Sequence, residues 1–300
     1  MSVTFCPSDI ILNILENILT AVLDGRSQLK KLEVTGDLDM SVYVDLSSTD
    51  LKLLSQALVR LEEFSFRCSS DLITNLFTKI ANSSIMKLKR LNLRLMKCSD
   101  VPPELFAVAL LRMETVVLDN FAGIISEDQI SHLFTKINSS ELMRLRKLEL
   151  PFVSISHISP DIISHAVVNL ETFIVHHNCN LTAAQLTSIF TKLSAVKDHK
   201  LRSLQLKRTD LTSVPTDSLV EGISGLERVD LAWARLTTEQ LTGIYRRVAD
   251  RKCSRLRWIN LSGNDHDSIS QDLREKAKLN LSVEIFDPLR CSILFMDFFK

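Results

Sequence analysis

The 300-residue sequence predicts an α/β solenoid, in which one strand-plus-helix module is stacked on copies of itself. Three observations predict this class. A six-residue LxxLxL pattern, with other apolar residues allowed, recurs along the chain. A stretch with helical apolar spacing follows most copies. The composition, 45% hydrophobic and 24% charged with 7 Gly and 7 Pro, is that of an ordered chain with a large core.

The LxxLxL copies predict the strands. They begin at Leu29, Leu61, Leu88, Met113, Leu145, Leu170, Leu201, Leu226 and Leu256. The apolar fourth and sixth positions alternate with other residues, which is strand periodicity with one face inward. From Leu88 onward, spacings of 25 residues alternate with spacings of 30 to 32 residues. Short and long repeats therefore form a block that recurs every 55 to 57 residues.

The segments after the strands predict helices with two kinds of start. The long repeats carry capping boxes, in which a hydroxyl binds a backbone N–H and a Gln side chain reaches back to the cap. These boxes are Ser126–Gln129, Thr182–Gln185 and Thr237–Gln240. The short repeats carry a first-turn proline, at Pro103, Pro160 and Pro215. Apolar residues then recur at helical spacing, as at Leu186, Ile189, Phe190 and Leu193.

The packing distances predict a curved arc. Parallel strands lie about 4.8 Å apart, whereas packed helices need about 8–10 Å. The strands are therefore expected on a concave face and the helices on a convex face. Alternating repeat lengths, LxxLxL strands and outer helices resemble the ribonuclease-inhibitor-like subfamily of leucine-rich-repeat proteins, over about residues 29 to 286. The Asn that this family usually carries after the strand is present at Asn178 and Asn264.

The resemblance implies a non-enzymatic scaffold or adaptor that binds another protein through its concave face. The low cysteine content does not favour nuclease inhibition in particular. The prediction is one domain over residues 1–300, with an N-terminal cap (1–28), about nine to ten repeats (29–281) and a C-terminal cap (282–300). The first cap contains an amphipathic helix from Ser8 to about Leu23, and the second a last strand at Ser282–Asp287.

The N-terminal segment PSDIILNILENIL supports an alternative interpretation. It resembles the opening of an F-box, the helical segment that recruits substrate receptors to ubiquitin ligases. The first repeat strand begins at Leu29, which leaves less room than a complete F-box needs. The scaffold interpretation is therefore preferred over a ubiquitin-ligase substrate receptor.

The sequence contains none of the motifs GxGxxG, GxxxxGK[ST], HExxH and GxSxG. We therefore expect no enzyme, no cofactor and no small-molecule substrate. His176-His177-x-Cys179 is the segment closest to a metal site, but adjacent residues of a strand point to opposite faces. No metal is expected there. Asp265-His266-Asp267 is interpreted as a solvated turn.

The charge balance limits the class of partner that we expect, and the cysteine content indicates the cellular compartment. The 36 basic and 36 acidic residues balance, so the basic excess typical of nucleic-acid binding is absent. Six widely spaced cysteines without a CxxC pair favour reduced thiols and a cytoplasmic or nuclear location. The N-terminus lacks the basic segment of a signal peptide, and the apolar C-terminal tail is too short to span a bilayer. We expect no membrane association.

The third, fifth and seventh positions of each strand motif are expected to line the concave face. Binding energy at protein interfaces concentrates in Trp, Tyr and Arg anchors. The candidate partner-binding residues in the second half are Ile174, His176, Lys207, Arg228, Asp230, Trp233 and Trp258. Arg67, Arg90 and Arg94 form a second, basic candidate patch. A sensor of a ligand or of nucleic acid that binds through the concave face is the other alternative function, and salt-dependent binding of RNA or DNA through these arginines would support it.

Overall fold

We describe the protein from a computed structural model. The described residues are 3–4, 31–35, 63–65, 70–83, 88–94, 98–119, 125–140, 143–176, 179–196, 198–250, 253, 255–280 and 282–284. The chain divides into two compact units, Met1–Val153 and Ser154–Lys300, and each is described by itself. The prediction of one domain stays a prediction.

The first unit is a parallel sheet with helices between successive strands. Its strands are β1 (Val3–Thr4), β2 (Lys31–Thr35), β3 (Glu63–Ser65), β4 (Arg90–Arg94), β5 (Thr115–Asp119) and β6 (Lys147–Pro151). Each strand pairs in parallel with the next. The described helices are α1 (Ser70–Asn82), α2 (Pro103–Leu111) and α3 (Glu127–Ser139). Strand β1 precedes the first motif and was not predicted.

The second unit repeats the same alternation. Its strands are β7 (Thr172–His176), β8 (Ser203–Leu206), β9 (Arg228–Asp230), β10 (Trp258–Asn260) and β11 (Ser282–Glu284). They also pair in parallel, each with the next. The described helices are α4 (Pro160–Asn169), α5 (Ala183–Ala195), α6 (Thr216–Ser224), α7 (Thr238–Ala249) and α8 (Gln271–Asn280).

The strand register follows the motif positions. Third-position residues lie opposite each other in both units, as Arg90 with Thr115 and Arg228 with Trp258. Strand β11 confirms the predicted last strand over Ser282–Glu284. The predicted α/β repeat fold, with parallel strands alternating with helices, is confirmed. The predicted N-terminal cap helix, the F-box alternative and the tail at 285–300 lie outside the described residues.

The core holds the side chains that the motif turns inward. In the motifs from Leu88 onward, strand residues at the fourth and sixth positions are almost completely buried, as Leu148 and Leu150 at 0% exposure. Each long repeat also contributes one fully buried aromatic ring from its helix, namely Phe77, Phe134, Phe190 and Tyr245. Burial of apolar surface of this kind is the main stabilising contribution to a repeat fold.

The predicted helix starts are confirmed in all three capping boxes, with one correction among the prolines. In the second box, the Thr182 N–H donates to Gln185 Oε1 at 2.8 Å and the Gln185 N–H donates to Thr182 Oγ1 at 3.2 Å. Pro103 and Pro160 are the first residues of their helices, as predicted. Pro215 is instead the N-cap residue outside α6, because its backbone is extended (φ −57°, ψ 133°) and the helix begins at Thr216. Pro102 has nearly the same conformation before α2.

The capping glutamines also join neighbouring repeats. The Nε2 group of Gln185 donates to the carbonyl oxygens of Ile155 and Ile158, at 2.7 and 2.6 Å. Gln129 and Gln240 make the same pair of bonds to the loops before their own repeats. The three long repeats that carry a capping glutamine are therefore hydrogen-bonded to the turn of the short repeat that precedes them.

None of the helices in the described ranges is both long and apolar enough to cross a bilayer.

Candidate protein-binding surface

The outward side of the strands in the second unit brings together several of the predicted site residues. We call this surface the strand face. It consists of Ser203, Gln205, Lys207, Arg228, Asp230, Trp258 and Asn260. Strands β8, β9 and β10 position it, because each strand presents its third, fifth and seventh residues on the side away from the core. Arg228 is exposed and Trp258 is half-buried on this face.

Arg228 and Trp258 form a cation–π pair. They lie opposite each other in the register of β9 and β10, and the Arg228 guanidinium carbon is 4.7 Å from the centre of the indole ring. Such a pair at an exposed site contributes about 0.5–1 kcal/mol. The guanidinium thus packs on the ring while the residue remains exposed to solvent.

Asp230 is buried against the same face. It is 3% exposed, and its Oδ2 lies 3.1 Å from the Nζ of Lys207. Its Oδ1 accepts a hydrogen bond from the Ala232 N–H at 3.2 Å. The carboxylate therefore holds the end of β9 and neutralises Lys207, and it offers little surface to a partner.

Trp233 lies just beyond β9, where the chain turns away from the strand. Its backbone has a φ of 58°, and its N–H donates to the Ser262 carbonyl oxygen at 2.7 Å. The indole ring occupies the space that a Cβ would take at Gly263. The residue is nevertheless 52% exposed. A large aromatic ring is thus presented to solvent on a backbone held by the next repeat.

The left-handed backbone at Trp233 belongs to a recurring position that sequence reasoning did not find. The residue two places after the sixth motif position has a positive φ at Phe152, Arg208, Trp233 and Gly263. Only the last of these is a glycine, the residue that tolerates this conformation without strain. A glycine after one strand was therefore the single sequence signal for the position.

The remaining predicted site residues are distributed differently. Ile174 is 5% exposed, so it offers almost no surface to a partner. Arg90 is exposed on β4. Arg67 and the side chains of Arg94 and His176 lie outside the described part of the chain. The basic patch is thus represented in the structure by Arg90 alone.

Asn264 is a buried side chain that bonds to the backbone of two repeats. Its Nδ2 donates to the carbonyl oxygens of Leu231 and Leu261, at 2.9 and 2.8 Å. Its Oδ1 accepts a hydrogen bond from the Leu236 N–H at 3.0 Å. The buried amide therefore joins the loops that follow β9 and β10.

The interpretation of residues 265–267 as a solvated turn is wrong for His266. The ring is 9% exposed; its Nε2 lies 2.9 Å from the Leu261 carbonyl oxygen and its Nδ1 lies 3.1 Å from the Tyr245 hydroxyl. The reason is Tyr245, which replaces the phenylalanine of other long repeats and needs a partner for its buried hydroxyl. Burial lowers the pKa of His266 and raises that of Tyr245.

Metal-ligating and thiol groups in the described ranges have structural surroundings. No group of three His, Cys, Asp or Glu residues among them could hold a metal ion. Cys98, Cys179 and Cys253 are free thiols. Burial raises the pKa of Cys98 to about 12, so this thiol stays protonated and unreactive near neutral pH.

Neither the protein-family models nor the curated protein sequences match this chain. Among solved structures, a protein from Bacteroides fragilis is similar with a TM-score of 0.39 and 14% identity, over 77% of this chain and 75% of that one. A chain in the crystal structure of the Rad7 and Elc1 complex in yeast is similar with a TM-score of 0.31 and 12% identity, over 92% and 90%. Likeness at this level carries no argument about function.

Proposed function

We propose that the chain is a non-enzymatic protein-binding scaffold that binds its partner through the strand face of the second unit. We further propose that it is a leucine-rich-repeat protein of the ribonuclease-inhibitor-like kind, on the alternation of its repeats and the hydrogen bonds of Asn264. One observation carries the proposal. Two tryptophans lie at neighbouring strands of one sheet: Trp258 on β10, paired with Arg228, and Trp233, 52% exposed, just beyond β9.

Aromatic and arginine side chains of this kind are suited to anchoring a protein partner. Trp and Arg dominate the residues whose truncation costs the most binding free energy at interfaces. The cation–π contact orders Arg228 before binding, and the packing on Gly263 orders Trp233. Side chains that are already ordered lose less conformational entropy when a partner arrives.

The polar groups around these anchors support binding rather than catalysis. Asp230 is paired with Lys207, and Asn264 and His266 are bonded to backbone carbonyl oxygens. A catalytic site requires a nucleophile, a base and an orienting group aimed at one reacting atom. Here the corresponding groups are directed at the backbone and at each other, where they stabilise the fold.

The proposal is tested by affinity capture from native cell extract with the full chain as bait. Trp258→Ala and Trp233→Gly alter the strand face and its edge, and Arg246→Ala is the matched control on the exposed side of α7. We expect the control to retain the partner proteins and both tryptophan variants to lose them. Circular dichroism establishes that each variant is folded. Retention of the same partners by both folded tryptophan variants would contradict the proposal.

A further inference from the structure

We infer that the partner presents an acidic peptide segment to the strand face, with one carboxylate bound by Arg228. This inference rests on the proposed function and specifies the chemistry of the partner. It follows from the charges that remain unpaired on and beside the strand face, and from the aromatic ring beneath Arg228.

Most cations around the strand face already have an acidic partner. Lys207 pairs with Asp230 at 3.1 Å, Arg202 with Glu227 at 2.5 Å, and Arg235 with Asp210 at 2.8 Å. The acidic members of these pairs are therefore neutralised as well. The charge available to a partner is the charge left outside the pairs.

Arg228 is the main cation outside these pairs. Its guanidinium is exposed, lies over the Trp258 ring and forms no ion pair with any residue in the described ranges. Arg257 adjoins Trp258, is also exposed, and its side chain has no ion-pair partner in the same ranges. Arg228, stacked on the indole ring, is therefore the cation on the strand face that is available to a carboxylate.

The arrangement of Arg228 suits a carboxylate. A guanidinium is a planar fork whose parallel N–H groups bind both oxygens of a carboxylate, and stacking on an aromatic ring leaves those groups available. The Trp258 ring offers apolar surface beside the bound charge. The geometry therefore fits a segment that carries Asp or Glu next to an apolar side chain.

The same charges disfavour a nucleic acid. A phosphate backbone carries a negative charge at every nucleotide and is bound by tracks of one sign. Here Asp230 already pairs with Lys207 and Glu227 with Arg202, so the described residues of the strand face do not form a track of unpaired cations. A short acidic segment needs only one such cation, and Arg228 beside the Trp258 ring supplies it.

The test is selection of random peptides displayed on phage against the immobilised full chain. We expect the selected peptides to be rich in Asp and Glu beside an apolar residue. A selected peptide is then compared with its Asn/Gln counterpart, on the wild-type chain and on Arg228→Gln. Loss of either charge is expected to weaken binding on the order of tenfold, since hydrogen bonds to charged groups have this strength.

The loss of binding from the amide peptide and the loss from Arg228→Gln should not add. If the peptide carboxylate binds Arg228, the difference between acidic and amide peptides should largely disappear in Arg228→Gln, as in a double-mutant cycle. Arg246→Gln, on α7, is the control and should bind both peptides as the wild-type chain does. Circular dichroism of each variant separates lost binding from lost folding.

Three results would overturn the inference. Neutral peptides whose binding depends on Trp258 would remove the acidic partner and leave the proposed function intact. A failure to select any peptide whose binding depends on the strand face would contradict the inference. If the tryptophan variants also captured the same partners as the wild-type chain, the inference and the proposed function would both be wrong. Binding of poly(U) RNA that is lost in Arg228→Gln would favour a nucleic acid instead.

Discussion

At the scale of single residues, Trp233 is a side chain that the fold does not require. Its φ of 58° lies in the left-handed region, where Gly263 stands in the next repeat with a φ of 73°. A residue with a Cβ is less stable there than a glycine by roughly 1–2 kcal/mol. Because the ring is also 52% exposed, its burial recovers only part of that free energy. Phe152 and Arg208 have the same backbone conformation at this position of their repeats, so the conformation belongs to the repeat, and the exposed indole ring is the feature that distinguishes Trp233.

Replacing Trp233 should therefore separate stability from binding. For Trp233→Gly we expect the free energy of unfolding to change by less than about 1 kcal/mol, because relief of the left-handed strain offsets the lost ring contacts. Partner capture should be lost in the same variant. Urea unfolding followed by far-ultraviolet circular dichroism measures the first quantity, without relying on the tryptophan that is removed.

Adding a side chain at Gly263, in the repeat after that of Trp233, should have the opposite effect on stability. Gly263→Ala would place a Cβ into the Trp233 ring on a backbone with a positive φ, so the free energy of unfolding should fall by at least about 1 kcal/mol. A large loss of stability in Trp233→Gly would show that the Trp233 ring serves the fold rather than a partner. An unchanged stability in Gly263→Ala would contradict the close packing of that ring on Gly263.

The sequence predicted the place of a side chain where the motif alone determines on which face of the strand that side chain lies. The motif places Arg228 and Trp258 side by side, and the strand register confirms this. The burial of Asp230 and His266 was not predictable, because their partners, Lys207 and Tyr245, come from neighbouring repeats. A pattern within one repeat contains no information about which polar groups the next repeat will bring into contact.

At the scale of elements, the buried glutamines explain why long and short repeats alternate. The side chain of Gln185 is 0% exposed and serves two elements at once. Its Oε1 accepts the Thr182 N–H at the start of α5, and its Nε2 donates to the carbonyl oxygens of Ile155 and Ile158. That turn is itself closed by the Ile158 N–H, which donates to the Ile155 carbonyl oxygen at 3.1 Å. One long helix and one short-repeat turn thus form a unit.

A change in the donor group of Gln185 should destabilise the fold more than loss of the helix cap. In Gln185→Glu the Oε acceptor remains, but two buried carbonyl oxygens lose their donor and face a carboxylate. We expect a loss of about 3 kcal/mol or more, since each unsatisfied buried polar group costs about 1–3 kcal/mol. Thr182→Ala removes only one capping bond and should cost about 1 kcal/mol.

Chemical denaturation of the full chain measures both variants under the same conditions. A Gln185→Glu chain no less stable than the Thr182→Ala chain would mean that the bonds to the preceding turn contribute little. The sequence predicted the capping boxes because their two residues are only three positions apart. It did not predict the bonds to the turn, because those carbonyl oxygens lie 30 and 27 residues earlier in the chain.

At the scale of the whole chain, the repeat pattern predicts the fold well and its titration behaviour poorly. Parallel pairing recurs along the described strands and buried motif residues recur from Leu88 onward, so each copy of the motif supports the same prediction. The two buried histidines of the described residues, His199 and His266, stand at unrelated positions of their repeats, so the motif does not predict them. His199 is 8% exposed, its Nδ1 has no hydrogen-bond partner among the described residues, and a Cβ at Gly225 would lie 2.8 Å from its Nε2. His266 is similarly buried, between Tyr245 and the Leu261 carbonyl oxygen.

The two histidines predict that mild acid destabilises the protein. Burial lowers the pKa of both side chains from the ordinary value of 6.5, with smaller contributions from nearby charges. The unfolded chain therefore binds more protons than the folded chain below pH 6.5. The stability that the neutral rings contribute is complete above that pH and is lost as the pH falls through the lower pKa values of the folded state.

This expectation is checked by urea unfolding at a series of pH values from about 7.5 down to about 5, the range in which histidine titrates. The free energy of unfolding of the wild-type chain should decrease along the series. The His199→Gln, His266→Gln double variant is less stable at neutral pH, but its stability should change less with pH, because the two groups that take up protons on unfolding are gone. Equal pH dependence in the two chains would show that other groups control the acid response.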